Sequence, residues 1–295
     1  MTEALATTPL AGAAARADVQ ALARQVQALP PLPDALQAVL EAMQQEHGTL
    51  RRSITLIERD QALTATVLRL ANSAFYGVPG QVHRIDDAIR LLGLRNVAAV
   101  LSASALRQSL CTDACTPFSF RAYWGHALLS AMAARALALR SGAEPDAAFL
   151  GGLMHTLGLL VLAALLPEPT GQALVLARQR HIADEEAEHA VLGFSHRPLG
   201  ALLLARWRFP DDVVQAVAAA DVAQPTPGDA ASLLACVVQT GGHMAHLLQF
   251  DPAALERPEH QAELAERARA LGLGSDALTP LVGDLRDAAE SLAIA

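Results

Sequence analysis

The chain has 295 residues, of which 52% are hydrophobic and 18% are charged, so it can build a large core and is not a disordered protein. All 22 basic residues are arginine, which excludes a Walker P-loop and lysine-based catalysis. The net charge of −8 argues against a nucleic-acid-binding surface, and we expect no nucleic-acid partner.

Residues 1–18 predict a flexible lead-in rather than a signal peptide, because they lack a basic stretch and carry Glu3 near the start. The chain has three cysteines, Cys111, Cys115 and Cys236. Three is an odd and low number for a disulfide framework. We therefore expect reduced thiols in a cytoplasmic protein.

Apolar residues recur at helical spacing along the chain, and no sustained alternating segment predicts a strand. Ile85, Ala88, Ile89 and Leu92 illustrate the pattern, since they share one helix face and end before Gly93. The 62 alanines also favour helix. The sequence therefore predicts an all-α fold. Further helices are predicted after Asp34, after Asp60 and over about residues 96–110.

Breaks rich in proline, glycine or polar residues divide the chain into three helical parts. An N-terminal lobe covers about residues 20–112 and opens with Pro30-Pro31-Leu32-Pro33. After a linker at Cys111–Pro117, a second lobe covers about residues 117–223. C-terminal helices follow over about residues 229–295.

Two uncharged runs, Ala147–Pro167 and Ala230–Phe250, are each 21 residues long, which is enough to cross a bilayer. Both contain histidine and glycine, and neither has flanking aromatic belts or a basic loop on one side. A helix that is apolar all round is typical of the centre of a helical protein. We expect both runs to be core helices and expect no membrane partner.

Histidines are the main candidates for functional side chains in the second lobe. His126 begins a long helix, His155 lies inside the first apolar run, and His196 lies between two glycines, Gly193 and Gly200. A single histidine on an apolar helix is usually a hydrogen-bonded core residue. Three on adjacent helices are a more specific signal of a shared site.

Several stretches resemble the HDOD domain (HD-related output domain) of bacterial signalling proteins, in order and in spacing. The resemblance covers about residues 20–290 and implies a two-lobed multi-helix bundle, an HDOD domain over residues 19–295, with an HD-like second lobe. The matching stretches are Leu29–Pro33, Ile57–Thr64, Leu70–Gly77, Ala88–Gly93, the helix of Trp124 and His126, Gly152–Gly158, Gly193–Gly200 and Trp207–Pro210.

The parent HD superfamily comprises metal-dependent phosphohydrolases with a His…His-Asp…Asp metal site. The resemblance places His126 and His155 at the two histidine positions, but Thr156 stands where the Asp should follow. The last Asp should come from Ala230–Phe250, which contains no acidic residue. His196 remains from an additional ligand set of some active relatives. Carboxylates neutralise and bridge the metal ions in such a site, and both are missing here. We therefore expect no enzymatic activity, no cofactor and no metal. If a metal does bind, we expect His126, His155 and His196 to be its ligands.

Four other residues have two interpretations each. Asn72 and Ser73 either end a helix through local backbone hydrogen bonds or contact a ligand between the lobes. Trp124 and Trp207 are interpreted as core or inter-lobe packing residues, with ligand contact as the alternative.

The resemblance implies a non-catalytic regulatory module in bacterial signal transduction that acts by contact with a signalling protein. A sensor of a small ligand, for example a nucleotide, is the first alternative. A residual metal-dependent phosphohydrolase is the second. The identity of the partner, the signal and the oligomeric state stay open, since a shared fold does not specify a function.

Overall fold

The computed structural model describes residues 22, 24–26, 54, 57–58, 61–72, 81–94, 96–97, 112–180, 182–219, 222, 224–274 and 277–293. This part of the chain is helical and contains no strand, which confirms the predicted all-α class. In chain order the helices are α1 (Gln61–Ala71), α2 (Ile85–Leu92), α3 (Phe120–Ser141), α4 (Pro145–Met154), α5 (Leu157–Leu165), α6 (Pro167–Arg180), α7 (Asp184–Leu192), α8 (Arg197–Arg206), α9 (Asp211–Ala218), α10 (Ala230–Phe250), a 3₁₀ turn (Pro252–Glu256), α11 (Pro258–Ala270) and α12 (Leu278–Ala293).

Helix α3 lies at the centre of the second lobe, with α4 and α10 packed along it. Its first turn is capped by Ser119, whose hydroxyl accepts a hydrogen bond from the Ala122 N–H at 3.3 Å. Fully buried alanines such as Ala131 and Ala134 form much of its surface. Because alanine adds little width, the neighbouring helices pack close to the α3 backbone.

Both apolar runs lie in the core, as the sequence predicts. Pro145–Leu165 is long and apolar enough to cross a membrane, but 89% of its most apolar window is buried inside the fold. The structure divides this run into α4 and α5 at His155 and Thr156. The second run is the single helix α10, and its middle turns are buried. These helices pack against protein rather than presenting an apolar face outward.

The N-terminal lobe is described in part, by α1, α2 and their connection. Asn72 follows α1, and its side-chain amide donates to the carbonyls of Leu68 at 2.9 Å and Val82 at 2.7 Å. Its side-chain oxygen accepts from the Val82 N–H at 2.9 Å. Asn72 therefore ends α1 and ties it to the segment before α2. The predicted helices after Asp34 and over 96–110 lie largely outside the described residues, and so does the 1–18 lead-in.

Direct contacts join the two lobes. Arg206 of α8 donates to the Val26 carbonyl at 2.9 Å. Asn96 donates to the Asp146 carboxylate at 3.3 Å. Buried residues of both lobes belong to one continuous apolar cluster, for example Val67 and Leu137. The lobes share a core in the part of the chain that the structure describes.

Candidate functional site

The structure brings together the three histidines that the sequence predicts to share a site. His126 lies on α3, His155 joins α4 to α5, and His196 directly precedes α8. The ring centroids of His126 and His155 are 5.2 Å apart. His196 is close enough for its charge to affect the pKa values of both. His155 and His196 are 7% and 3% exposed, so the cluster is set deep between the helices.

A backbone contact between α5 and α8 fixes the position of His196 relative to His155. A Cβ atom on Gly158 would lie 1.9 Å from the His196 carbonyl oxygen, and one on Gly200 would lie 3.0 Å from the Gly158 nitrogen. No other residue type fits Gly158 at this distance. The two glycines that mark the sequence stretches are therefore packing residues that hold two histidine segments against each other.

The His155 side chain is oriented by its own helix. Its Nδ1 lies 2.7 Å from the Gly152 carbonyl oxygen, and because a carbonyl can only accept, Nδ1 carries the proton in the neutral ring. Nε2 is then an acceptor, and it faces Gly242 of α10. Burial, and next the charge of Arg197, lower the pKa of His155 to about 3, against a smaller opposing effect of the Gly152 bond. His155 is therefore neutral at pH 7.

His196 is paired with a buried carboxylate. Its ring Nδ1 lies 2.9 Å from each Glu188 oxygen, and its backbone N–H donates to Glu188 at 2.8 Å. Burial alone would lower the pKa of His196, but the charge and hydrogen bond of Glu188, with the charge of Glu185, raise it instead. Glu188 is 1% exposed. The pair holds the His196 ring in place close to the neutral His155.

A second ion pair lies beside the first. Arg197 binds Glu185 with both ends of its guanidinium, at 2.7 Å from Nε and 2.5 Å from Nη2. This interaction lowers the pKa of Glu185 although burial acts in the opposite direction. Helix α7 thus presents Glu185 and Glu188 to the start of α8. Sequence analysis missed both, because an acidic helix start resembles a solvated face.

His246 of α10 completes the cluster and was also missed. Its ring is 6.3 Å from that of His126, edge to face, and 5.2 Å from that of Phe250. Phe250 in turn lies 6.0 Å from His126 and is 51% exposed. Burial, followed by the charges of His155, His246 and His196, places the pKa of His126 well below its usual value. The spacing of His246 and Phe250 at i and i+4 was the available signal.

Thr156 stands where the resemblance places the metal-binding Asp of HD phosphohydrolases. It lies next to the Tyr123 hydroxyl. Burial raises the pKa of Tyr123, and the interaction with Thr156 opposes this effect. The donor atoms of His126, His155 and His196 do not form a set within 4.8 Å of one another in the described part of the chain. With a neutral hydroxyl at 156 and no acidic residue on α10, these residues lack the carboxylates of the two-metal centre of a hydrolase.

The remaining predicted contacts lie away from this cluster or at its edge. The hydrogen bonds of Asn72 support its helix-ending interpretation, and Ser73 lies outside the described residues. Trp124 is half-buried, packs against the apolar core and stacks on Phe120 at 6.4 Å. Trp207 is buried in the core. Both tryptophans have the packing role that the sequence predicts.

Comparison with known proteins decides the family. The model of the HDOD domain matches residues 29–222. The chain belongs to the HDOD family. The HDOD match covers most of the N-terminal lobe and nearly all of the second lobe, so it includes His126, His155 and His196, whereas His246 lies beyond it. This result confirms the resemblance seen in the sequence stretches.

One relative of this HDOD chain aligns with two thirds of its residues. An uncharacterised protein of Treponema pallidum (strain Nichols) is 27% identical over 199 residues, which are 66% of this chain and 38% of that relative. The matching region thus spans well under half of the relative's length.

Two crystal structures share the fold and are each 25% identical. A proposed phosphohydrolase from Shewanella amazonensis SB2B has a TM-score of 0.68, covering 92% of this chain and 98% of that one. A proposed signal transduction protein from Marinobacter aquaeolei VT8 has a TM-score of 0.67, covering 92% of this chain and 60% of that one.

Proposed function

We propose that this HDOD protein is a non-catalytic regulatory module of cytoplasmic signal transduction that acts through contact with a partner protein. The observation that supports it is the chemistry of the HD-like site. Thr156 replaces a metal-binding carboxylate and α10 contains no acidic residue. The His155 and His196 rings instead bind protein atoms, the Gly152 carbonyl and the Glu188 carboxylate.

A metal-bound hydroxide needs negatively charged ligands to balance the ion and an open coordination position. Here the guanidinium of Arg197 lies beside His196 and repels a divalent cation. The carboxylates nearby, Glu188 and Glu185, are already paired with His196 and Arg197. The site therefore favours structural hydrogen bonding over hydrolysis, which supports a regulatory role for this HDOD chain.

The first experiment measures hydrolysis of a phosphodiester and of nucleotides with Mg²⁺, Mn²⁺ or Zn²⁺ present, for the wild type and His155→Ala. We expect equal background rates for both proteins. A wild-type rate that His155→Ala abolishes would establish the residual phosphohydrolase and overturn the non-catalytic proposal.

The second experiment tests the contact itself. Proximity labelling in the source cells names binding candidates, and titration calorimetry with the purified partner then measures the interaction. We expect a signalling protein that binds with a Kd on the order of micromolar or tighter. If every labelled candidate fails to bind as a purified protein, the contact mechanism is wrong.

A small-ligand sensor is a second candidate function, favoured by polar atoms inside the cluster. His126 Nδ1, His196 Nε2 and Arg197 Nη1 are buried and have no hydrogen-bond partner among the described residues. Buried polar atoms normally have one, and a bound anion or nucleotide would supply it. A ligand that raises the melting temperature of the wild type, but not that of Thr156→Val, would support this function.

A further inference from the structure

We propose that His243, His260 and Glu263 form a zinc-binding site between α10 and α11. This group is separate from the HD-like cluster, and within the described ranges it is the one set of three such side chains whose donor atoms all lie within 4.8 Å of one another. Two imidazoles and one carboxylate are a ligand set typical of zinc with one position left open. Such a nitrogen-rich set disfavours Mg²⁺ and Ca²⁺.

The distances suit a tetrahedral ion. Glu263 Oε2 lies 3.4 Å from His243 Nε2 and 3.8 Å from His260 Nδ1. Zinc bonds to nitrogen and oxygen are about 2.0–2.2 Å long, so the ligand atoms of a tetrahedral site lie roughly 3.3–3.6 Å apart. Small side-chain rotations therefore bring all three donors into bonding range of one ion.

The two helices present the donors with suitable spacing. His260 and Glu263 are three residues apart on α11 and so share one helix face. His243 comes from α10, which α11 packs against. Zinc would therefore join two helices that are separated along the chain by a short 3₁₀ turn, Pro252–Glu256.

The state of the side chains also suits a metal. His243 Nε2 and His260 Nδ1 are buried atoms without a hydrogen-bond partner among the described residues. Arg267 donates to the other Glu263 oxygen at 3.2 Å. That bond orients the carboxylate and leaves Oε2 directed at the histidines.

The three side chains lie at the edge of the fold rather than in its core. The side chains of His243, His260 and Glu263 are 23%, 28% and 39% exposed. Substitution of these residues therefore leaves the central helices intact.

The test is a zinc titration of the full chain without a histidine tag, in competition with a chromogenic chelator. We expect one zinc ion per chain with a Kd on the order of micromolar or tighter. His260→Ala and Glu263→Gln should each weaken binding by about 100-fold. The matched control is His189→Ala, which removes an exposed histidine of α7 and should bind zinc as the wild type does.

Cobalt substitution provides an independent readout. Co²⁺ should give the visible bands of a tetrahedral nitrogen and oxygen site, without thiolate charge transfer, and His260→Ala should lose them. Circular dichroism of each variant verifies that its fold is unchanged. The proposal is overturned if no zinc binds at about 100 µM, far above the expected Kd, if both variants bind zinc as the wild type does, or if a thiolate band appears. Neither hydrolysis nor partner binding enters this test, so it stands apart from the proposed function.

Discussion

The neutral state of His155 makes a quantitative prediction about acid stability. The folded pKa is about 3, whereas an unfolded histidine titrates near 6.5. Below pH 6.5 His155 binds a proton in the unfolded chain but not in the folded chain. The free energy of unfolding therefore falls as the pH falls, until His155 is also protonated in the folded chain near pH 3. Each pH unit in this window is equivalent to about 1.4 kcal/mol. Between pH 7 and pH 5 His155 should therefore remove about 2 kcal/mol from the free energy of unfolding.

The assay compares urea denaturation of the wild type and His155→Asn at pH 7 and pH 5. Asparagine does not titrate, and its amide can still donate to the Gly152 carbonyl in place of Nδ1. The variant should lose about 2 kcal/mol less than the wild type on acidification. Contributions from other histidines, such as the pair of His196 with Glu188, are common to both proteins and cancel in this difference.

The control is His189→Asn, because His189 is exposed on α7. Its free energy of unfolding should stay within about 0.5 kcal/mol of the wild-type value at both pH values. If His155→Asn and the wild type lose equal stability on acidification, His155 is not held neutral by burial and the account of the cluster is wrong.

Three further substitutions test contacts at the site and at a helix end, each by urea denaturation. Gly158→Ala should cost about 3 kcal/mol, because a Cβ there overlaps the His196 carbonyl; a loss below about 1 kcal/mol would show that α5 and α8 can separate freely. Glu188→Ala should cost about 3 kcal/mol or more, since it leaves a buried ring and a buried N–H without their acceptor; wild-type stability would contradict the buried pair. In a separate NMR titration, Glu188→Gln should lower the pKa of His196, because burial then acts against a weaker opposing charge; an unchanged value would show that Glu188 does not set it. Asp229→Ala should cost about 1 kcal/mol, because Asp229 caps α10 by accepting from the Ala231 N–H at 3.0 Å; no loss would assign the cap to water.

Local signals predicted the elements well. The face of Ile85 to Leu92 and the following Gly93 gave the bounds of α2, and Gly93 adopts a positive φ of 84°. The uncharged run Ala230–Phe250 is one helix with the same bounds. Both signals act over a few residues, so the sequence carries them without knowledge of the tertiary structure.

The division of the first apolar run was not predictable in the same way. Residues 147–163 are all buried, so no periodicity marks the change from α4 to α5 at His155 and Thr156. The change depends on tertiary contacts, namely the hydrogen bond of His155 to Gly152 and the approach of α8 to Gly158. Neither contact leaves a separate local signal.

The candidate site was predictable only where a motif pointed to it. His126, His155 and His196 lie in family stretches, and the structure places them together. Glu188 and His246 lie outside these stretches, and each gains its role from a partner on another helix. Long-range pairing of this kind depends on the packing of α7 and α10, which composition and periodicity do not specify.

The main-chain contact between Gly158 and Gly200 makes the packing of α5 on α8 independent of the side chains that line the site. In a protein whose helices are held together by a metal ion, the loss of one ligand also weakens the packing of the helices. Here backbone atoms of α5 contact those at the start of α8 directly, regardless of which side chain stands at position 156. The framework of the site therefore does not depend on which residue type stands at position 156, and the same fold can host different chemistry there.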